Sequence, residues 1–392
     1  MSVQKQTVTF LNAALFLMLP LLYSISFAQG VIIDHTCTDI TQIPESAIDR
    51  ARSTLHIGYG HTSHGSQLTS GMTGLITFAN NGGLGLSHAQ NAFEWNNGGS
   101  GGALDLEEGD GYGSGWLDHD CGYYPEWVNE TRAYLDDPSH SDVNVIIWSW
   151  CGQTAGRTEA SMIDTYLAPM AQLESDYPDV VFVYMTGHAD GSGESGNLHL
   201  RNRQIRSYCI QNDKVLYDFY DIECYDPDGN YFGDRYVNDD CSYDGGNWAL
   251  EWQNAHTEGV DWYNCSSAHS QPLNANRKAY AAWWLWASLA GWNQTTDIDV
   301  HYASNPSGFG LYQNYPNPFN PETTIIYYLE KSNTVALKIY GVSGREIETL
   351  ADGFQTAGVH TTRWYSKGLA SGIYLCRLQA GNSTVTRKLI LQ

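Results

Sequence analysis

Basic residues are scarce in this chain: 20 Lys and Arg stand against 43 Asp and Glu, a formal net charge of -23. The deficit is uneven, because residues 311–392 hold eight basic and five acidic residues while 12 basic face 38 acidic residues before them. The larger part therefore carries about -26. Such a field repels phosphate backbones and argues against nucleic acid as a partner. It suits a neutral or cationic substrate, bound calcium, or simply solubility outside the cell. No Cys-x-x-Cys pair occurs, which disfavours a cysteine zinc knuckle, and no His-Glu-x-x-His helix motif is present. Beyond residues 10–22 no apolar run approaches the roughly 20 residues of a membrane span.

The amino-terminal 28 residues carry Lys5, the apolar stretch 10–22 and Ser26-Phe27-Ala28, which fits the small-x-small rule for signal peptidase. Cleavage after Ala28 is expected, and the mature protein is expected to be exported without a membrane span. Export makes disulfides available to the eight cysteines. Seven precede residue 300 and Cys376 stands alone, so two or three bridges are expected, with at least one free or buried thiol.

The length of 392 residues suggests two domains. Between residues 31 and 292, apolar β-rich runs near 54–58, 143–150, 180–186 and 214–219 alternate with amphipathic helical segments at 66–79, 125–135, 158–175, 198–212 and 274–290. That alternation predicts an α/β fold with a doubly wound parallel sheet, whose continuous apolar strands suit burial on both faces. Two long insertions interrupt it, one Gly-rich and acidic at 80–122 and one aromatic at 224–265. Aromatic rings there either platform a sugar or pack the loops onto the sheet. The acidic loops 105–120 and 226–230 either bind structural calcium or form turns; no other cofactor is implied.

Residues 301–310 read as a linker, and 311–392 as short alternating strands of a small β-sandwich. On Tyr315-Pro-Asn-Pro-Phe-Asn320, Ile339-Tyr-Gly-Val-Ser-Gly-Arg345, Leu369-Ala-Ser-Gly-Ile-Tyr374 and Arg387-Lys-Leu-Ile-Leu391, this part resembles the type A sorting domain of the type IX secretion system. After Sec export, which the leader predicts, the resemblance implies passage across the outer membrane by that machinery, with this domain removed and the remainder released or attached to the cell surface.

Four polar clusters fall after predicted strands or before the last helix: 60–66, 150–153, 186–190 and 266–270. Ligands bind at strand carboxyl ends in such sheets, so the clusters are expected to meet there. Ser63 would be the nucleophile and His269 its base, with backbone N–H groups of Ser63 and Gly152 at the oxyanion. On these positions residues 50–292 resemble the SGNH (GDSL-like) hydrolases, which implies a flavodoxin-like three-layer fold and esterase or deacetylase activity. Ser63 matches that family's serine, Gly152 its glycine, and His269, followed by Pro272 and Asn276, its histidine. The sequence departs from the pattern in three places. Gly60-His-Thr-Ser63 replaces Gly-Asp-Ser; Gly187-His188 stands where glycine and asparagine are expected, leaving His188 or Asn197 as oxyanion donor; and Ser266 occupies the usual place of the acid, leaving Asp261 or a dyad.

The plainer readings make Ser63 a helix cap, Ser66 the competing hydroxyl, Gly152 a turn glycine, and His188 and Asp190 a structural pair. His61, His64, Trp116 and Trp150 are expected to contact substrate, with no metal in the site. The expected activity is removal of acyl groups, most simply acetyl, from a secreted protein's polysaccharide substrate. Two other classes stay open: a carbohydrate-binding protein without turnover, and a zinc-dependent hydrolase using His61, His64, His188 and His269 with Asp190.

Overall fold

The computed structural model describes residues 30–109, 116–292 and 310–391, apart from 312, 313, 315–318, 320, 330, 343, 357, 367 and 382. The expected leader, residues 301–309 of the linker and most of the Tyr315–Asn320 motif lie outside the described residues.

Seven parallel strands form the central sheet: β1 (Ile32–Ile33), β2 (His56–Gly60), β3 (Trp95–Asn96), β4 (Leu104–Gly109), β5 (Val145–Trp148), β6 (Val181–Met185) and β7 (Val215–Tyr217). Their order across the sheet is β1-β7-β6-β5-β2-β4-β3. From β2 the chain builds outward to β4 and β3, then returns to the other side of β2 and builds β5, β6 and β7. The reversal leaves a crevice between the carboxyl ends of β2 and β5.

Helices cover both faces: α1 (Glu45–Thr54), α2 (Ser66–Asn80), α3 (Glu126–Asp136), α4 (Glu159–Met162) running through a π turn into α5 (Ala168–Asp176), α6 (Asn197–Gln211), α7 (Phe219–Glu223), α8 (Trp248–Ala255) and α9 (Pro272–Leu289). Alternation along the strands explains the layering. Ile57, Tyr59, Val145, Ile147 and Val183 point to one core with residues of α1, α2 and α9. Ile146, Trp148, Phe182 and Tyr184 point to another with α3, α5 and α6. The apolar Trp283, Leu285, Trp286 and Ala287 of α9 are fully buried.

The five helical segments read from periodicity fall within about two residues of α2, α3, α4 with α5, α6 and α9, whereas α1, α7 and α8 were not read. The insertion 80–122 was not legible as sheet, yet it contributes β4 and the edge strand β3. The second insertion holds α8 and a small hairpin, β8 (Ser242–Tyr243) with β9 (Gly246–Asn247). Asp226 accepts hydrogen bonds from the N–H and Nδ2 of Asn230, both at 2.8 Å, so residues 226–230 form a turn.

The expected disulfides are absent: all eight cysteines are free. Cys121, for example, is buried and donates to the Ser149 carbonyl at 2.9 Å, and Cys209 is buried on α6.

The carboxyl-terminal part is antiparallel. β10 (Gly310–Leu311), β11 (Glu322–Leu329) and β14 (Gly358–Tyr365) form one sheet, and β12 (Asn333–Gly341), β13 (Glu346–Gln355), β15 (Gly372–Ala380) and β16 (Ser383–Leu391) form the other. Both contribute to one core through Ile325, Tyr327, Leu337, Ile339, Trp364 and Leu378. Among the described residues no helix is long and apolar enough to cross a membrane.

Candidate active site

The turn after β2 and the segment after β5 lie against each other at the crevice. Gly65 allows this approach: an added Cβ there would sit 2.4 Å from both His61 Cβ and Ser149 Oγ. Tyr59 Oη donates to the Gly65 carbonyl at 2.9 Å, pinning the turn from beneath. Gly65 itself precedes α2, and no side chain caps the helix. Ser63 is therefore not a cap. Its hydroxyl lies 3.7 Å from Cys151 Sγ, while the Ser66 hydroxyl is held by the Ser63 carbonyl at 2.7 Å.

Three residues stand in line. Cys151 Sγ is 3.1 Å from His64 Nδ1, and His64 Nε2 is 3.1 Å from Asp239 Oδ2. Burial works against charge on the His64 ring, but the hydrogen bonds to Asp239 and Cys151 outweigh it and push its pKa up to about 9. The hydrogen bond from His64 does the opposite to the thiol, holding Cys151 down at about 7 despite burial. Between these values the pair is thiolate and imidazolium, the reactive form of a cysteine. Asp239 reaches the site from the second insertion, where Asn238 bridges to Asp190 and Gly191 N–H donates to the Val237 carbonyl.

Two more imidazoles complete the cluster. His188 stacks on His64 with centroids 3.8 Å apart, and His269 lies 4.6 Å from it on centroids. His188 Nδ1 is 2.8 Å from the Ala189 carbonyl, and a carbonyl only accepts, so Nδ1 carries the proton. Burial holds this ring neutral by lowering its pKa. Its Nε2 then offers a lone pair and can only accept; the oxyanion-donor role expected for His188 does not suit that tautomer. Asn197, the other expected donor, has its Nδ2 engaged by the Ala155 and Arg157 carbonyls, both at 2.7 Å. Gly152 remains, and an added Cβ there would meet open space.

The structure thus brings Ser63, His64, Gly152, His188 and His269 to one crevice and leaves other expected residues elsewhere. Asp261 accepts the Thr257 N–H at 2.8 Å within its own turn. His61 is buried against Glu108, its Nε2 3.2 Å from Oε2. Trp150 is buried with its indole N–H on the Met185 carbonyl, a core position rather than a substrate contact. Trp116 packs edge-on against Tyr134 and His140. Asp190 turns its carboxylate to the Ser192 N–H, away from a metal role with the histidines.

Sequence reasoning missed Cys151 and Asp239. In sequence Cys151 reads as one of eight thiols available for bridges, and its one distinguishing signal is its position directly before Gly152 and after a buried strand. Asp239 gave no signal, since Asn238-Asp239-Asp240 reads as an ordinary turn.

Residues 313–392 match the family described as the secretion system C-terminal sorting domain. This supports secretion or cell-surface localisation through the type IX system and contact with its machinery. No curated protein matches the chain. Similar solved structures include an engineered protein, 14% identical over 93% of this chain and 99% of the other, with a TM-score of 0.23. An endo-β-1,4-mannanase from Thermotoga petrophila is 10% identical over 71% of this chain and 50% of its own, at a TM-score of 0.23. A Cellulomonas fimi endo-β-1,4-mannanase double mutant is 12% identical over 74% and 54%, at 0.20. The chain spans about half the length of these two mannanases. Likeness this weak says nothing about activity, and nothing in it points to a cofactor.

Proposed function

We propose that the α/β part is a secreted hydrolase that cleaves acyl esters by acyl transfer, with acetylated polysaccharide as its substrate class. The observation that carries this reading is the hydrogen-bonded line Asp239–His64–Cys151, with the Ser63 hydroxyl against the same sulfur. Nucleophile, base and orienting acid within reach of one another are what covalent catalysis requires. The setting supports it too. The strands β4-β2-β5-β6-β7 follow the flavodoxin-like order, and the line lies at its switch point, where ligands bind. The resemblance of Ser63, Gly152 and His269 to the SGNH hydrolases points to the same crevice. The polysaccharide class rests on secretion and on the aromatic insertions.

In this reading the Cys151 thiolate attacks the ester carbonyl, and the oxyanion forms beside the Gly152 N–H. His64 then gives its Nδ1 proton to the departing alkoxide, leaving a thioester on Cys151. Water attacks the thioester, His64 takes the water's proton, and the carboxylic acid leaves as the thiolate is restored. Asp239 holds the ring in place throughout and stabilises its charged form.

A second reading keeps Ser63 as nucleophile and His269 as base, favoured by the place of Ser63 on the turn that leaves β2. The two separate cleanly in hydrolysis of p-nitrophenyl acetate and acetylated xylan. Cys151→Ala and His64→Ala are expected to lose about 10²–10⁴-fold in kcat/KM, the range of a positioned acid-base or nucleophilic group, while Ser63→Ala keeps most of the activity. Loss in Ser63→Ala with full activity in Cys151→Ala assigns the serine. Xylan retention on a native gel without turnover makes the protein a binder.

A further inference from the structure

We propose that His64, Asp239 and His269 form a binding site for one zinc-like divalent ion, and that its occupation switches the acyl-transfer site off. Each residue offers one ligand atom, and the three atoms lie within 4.8 Å of one another. They come from three separate segments: the turn before α2, the second insertion and the loop before α9. A tetrahedral zinc ion with ligands at about 2.0–2.2 Å needs donor atoms ~3.3 Å apart. His64 Nε2 and Asp239 Oδ2, at 3.1 Å, already stand at that spacing. His269 has to close in by no more than ~1.5 Å, given that spacing.

The donor set selects the ion. Two imidazoles and one carboxylate suit zinc and its neighbours, whereas calcium and magnesium take oxygen ligands almost throughout. Three protein ligands also leave a fourth position for water or a small anion. The surroundings fit. His64 Nδ1 is committed to Cys151, which turns Nε2 to the ion and supplies the outer hydrogen bond that metal-binding histidines usually make. His269 is held at φ 61° in the left-handed region, with Gln67 Nε2 donating to the neighbouring Ala268 carbonyl at 2.5 Å, so its ring is presented by a fixed turn. His64 is buried and His269 exposed, which gives the ion a way in from the solvent side.

Among the described residues, two other clusters, Asp34 with His35 and Asp221 and His56 with Asp105 and Asp142, each offer one imidazole and two carboxylates, a set less suited to zinc than two imidazoles and one carboxylate.

Inhibition follows from proton bookkeeping on His64. Zinc takes the Nε2 lone pair, so the proton there is released and only the Nδ1 proton remains. Giving that proton to a leaving alkoxide would create an imidazolate on the metal, and the ring no longer serves as acid. The inhibitory half of the proposal rests on the acyl-transfer reading; the binding half rests on the geometry alone.

Calorimetric titration of the full chain with zinc chloride at pH 7.5 tests the binding half. One ion per chain is expected, with affinity reduced at least about 100-fold in Asp239→Asn and in His269→Gln and unchanged in the control His56→Gln. Absence of saturable binding, or binding unaffected by both substitutions, overturns the site. Hydrolysis of p-nitrophenyl acetate measured in parallel is expected to fall as zinc binds and to return with a chelator. Binding as expected with an activity that zinc raises overturns the inhibitory half. Binding as expected in a protein that hydrolyses nothing leaves the metal site standing and defeats the hydrolase reading.

Discussion

Glu223 and Lys278 meet in the interior with neither side chain exposed, Nζ and Oε1 2.5 Å apart, and between them they reach two of the histidine turns. Glu223 Oε2 accepts the Ala189 N–H at 2.6 Å, next to His188. Lys278 donates to Gln67 Oε1, and Gln67 in turn holds the Ala268 carbonyl next to His269. Asn274 adds a bond from α9 to Glu223 at 3.3 Å, and the Lys278 ammonium lies 3.5 Å from the Phe219 ring centroid. The crevice thus stands on a buried ionic hub that joins α2, α7 and α9.

Breaking the hub from one side is expected to be severe. Burial pulls the Lys278 pKa down and Glu223 opposes that pull. Glu223→Gln therefore strands a buried ammonium, at a cost of about 3–5 kcal/mol. Urea unfolding followed by tryptophan fluorescence measures this. The double variant Glu223→Gln with Lys278→Met is expected to recover much of the loss, because the stranded charge is gone. A strictly additive double variant contradicts the coupling.

The pH dependence of Cys151 follows from its partner. Below about 7 the sulfur keeps its proton, and above about 9 His64 loses its own. Alkylation of Cys151 by iodoacetamide is expected to rise through pH 7 rather than near the ordinary value of 9.0. Ester hydrolysis, which needs thiolate and imidazolium together, is expected to follow a bell with limbs near 7 and 9, belonging to the pair rather than to either residue.

Asp239→Asn removes the charge that favours the imidazolium. The His64 pKa is then expected to fall and the Cys151 alkylation midpoint to move up toward 9.0. Hydrolysis is expected to drop about 10²-fold or more, since the orienting acid of such a triad acts through the tautomer and charge of the base. An unchanged alkylation midpoint removes Asp239 from the line.

Trp150 distinguishes core from site. Its ring is 2% exposed and meets Tyr166 edge-on at 4.8 Å. Trp150→Ala is expected to lower stability by about 3–5 kcal/mol, as for other buried aromatic truncations, which chemical denaturation reads directly.

Helix and strand periods made the alternating α/β pattern readable, because β5 and β6 are continuous apolar runs and α9 carries Ala and Trp at helical spacing. β4 escaped notice because Leu104-Asp-Leu-Glu-Glu-Gly109 is half acidic and lies inside a Gly-rich insertion. The meeting of the turns after β2 and β5 was legible from fold logic alone. The identity of the contacts was not, since which imidazole faces which partner depends on a few ångströms of turn geometry and on the bridge from 190–191 to 237–238 that carries Asp239 in.

The most direct test of the central claim is to quench the protein in acid during turnover of p-nitrophenyl acetate and map the acetyl group by peptide mass spectrometry. An acetyl thioester on Cys151, absent from the Cys151→Ala variant, is the predicted result. Acetyl on Ser63, or turnover with no covalent adduct under conditions that trap it, contradicts the account.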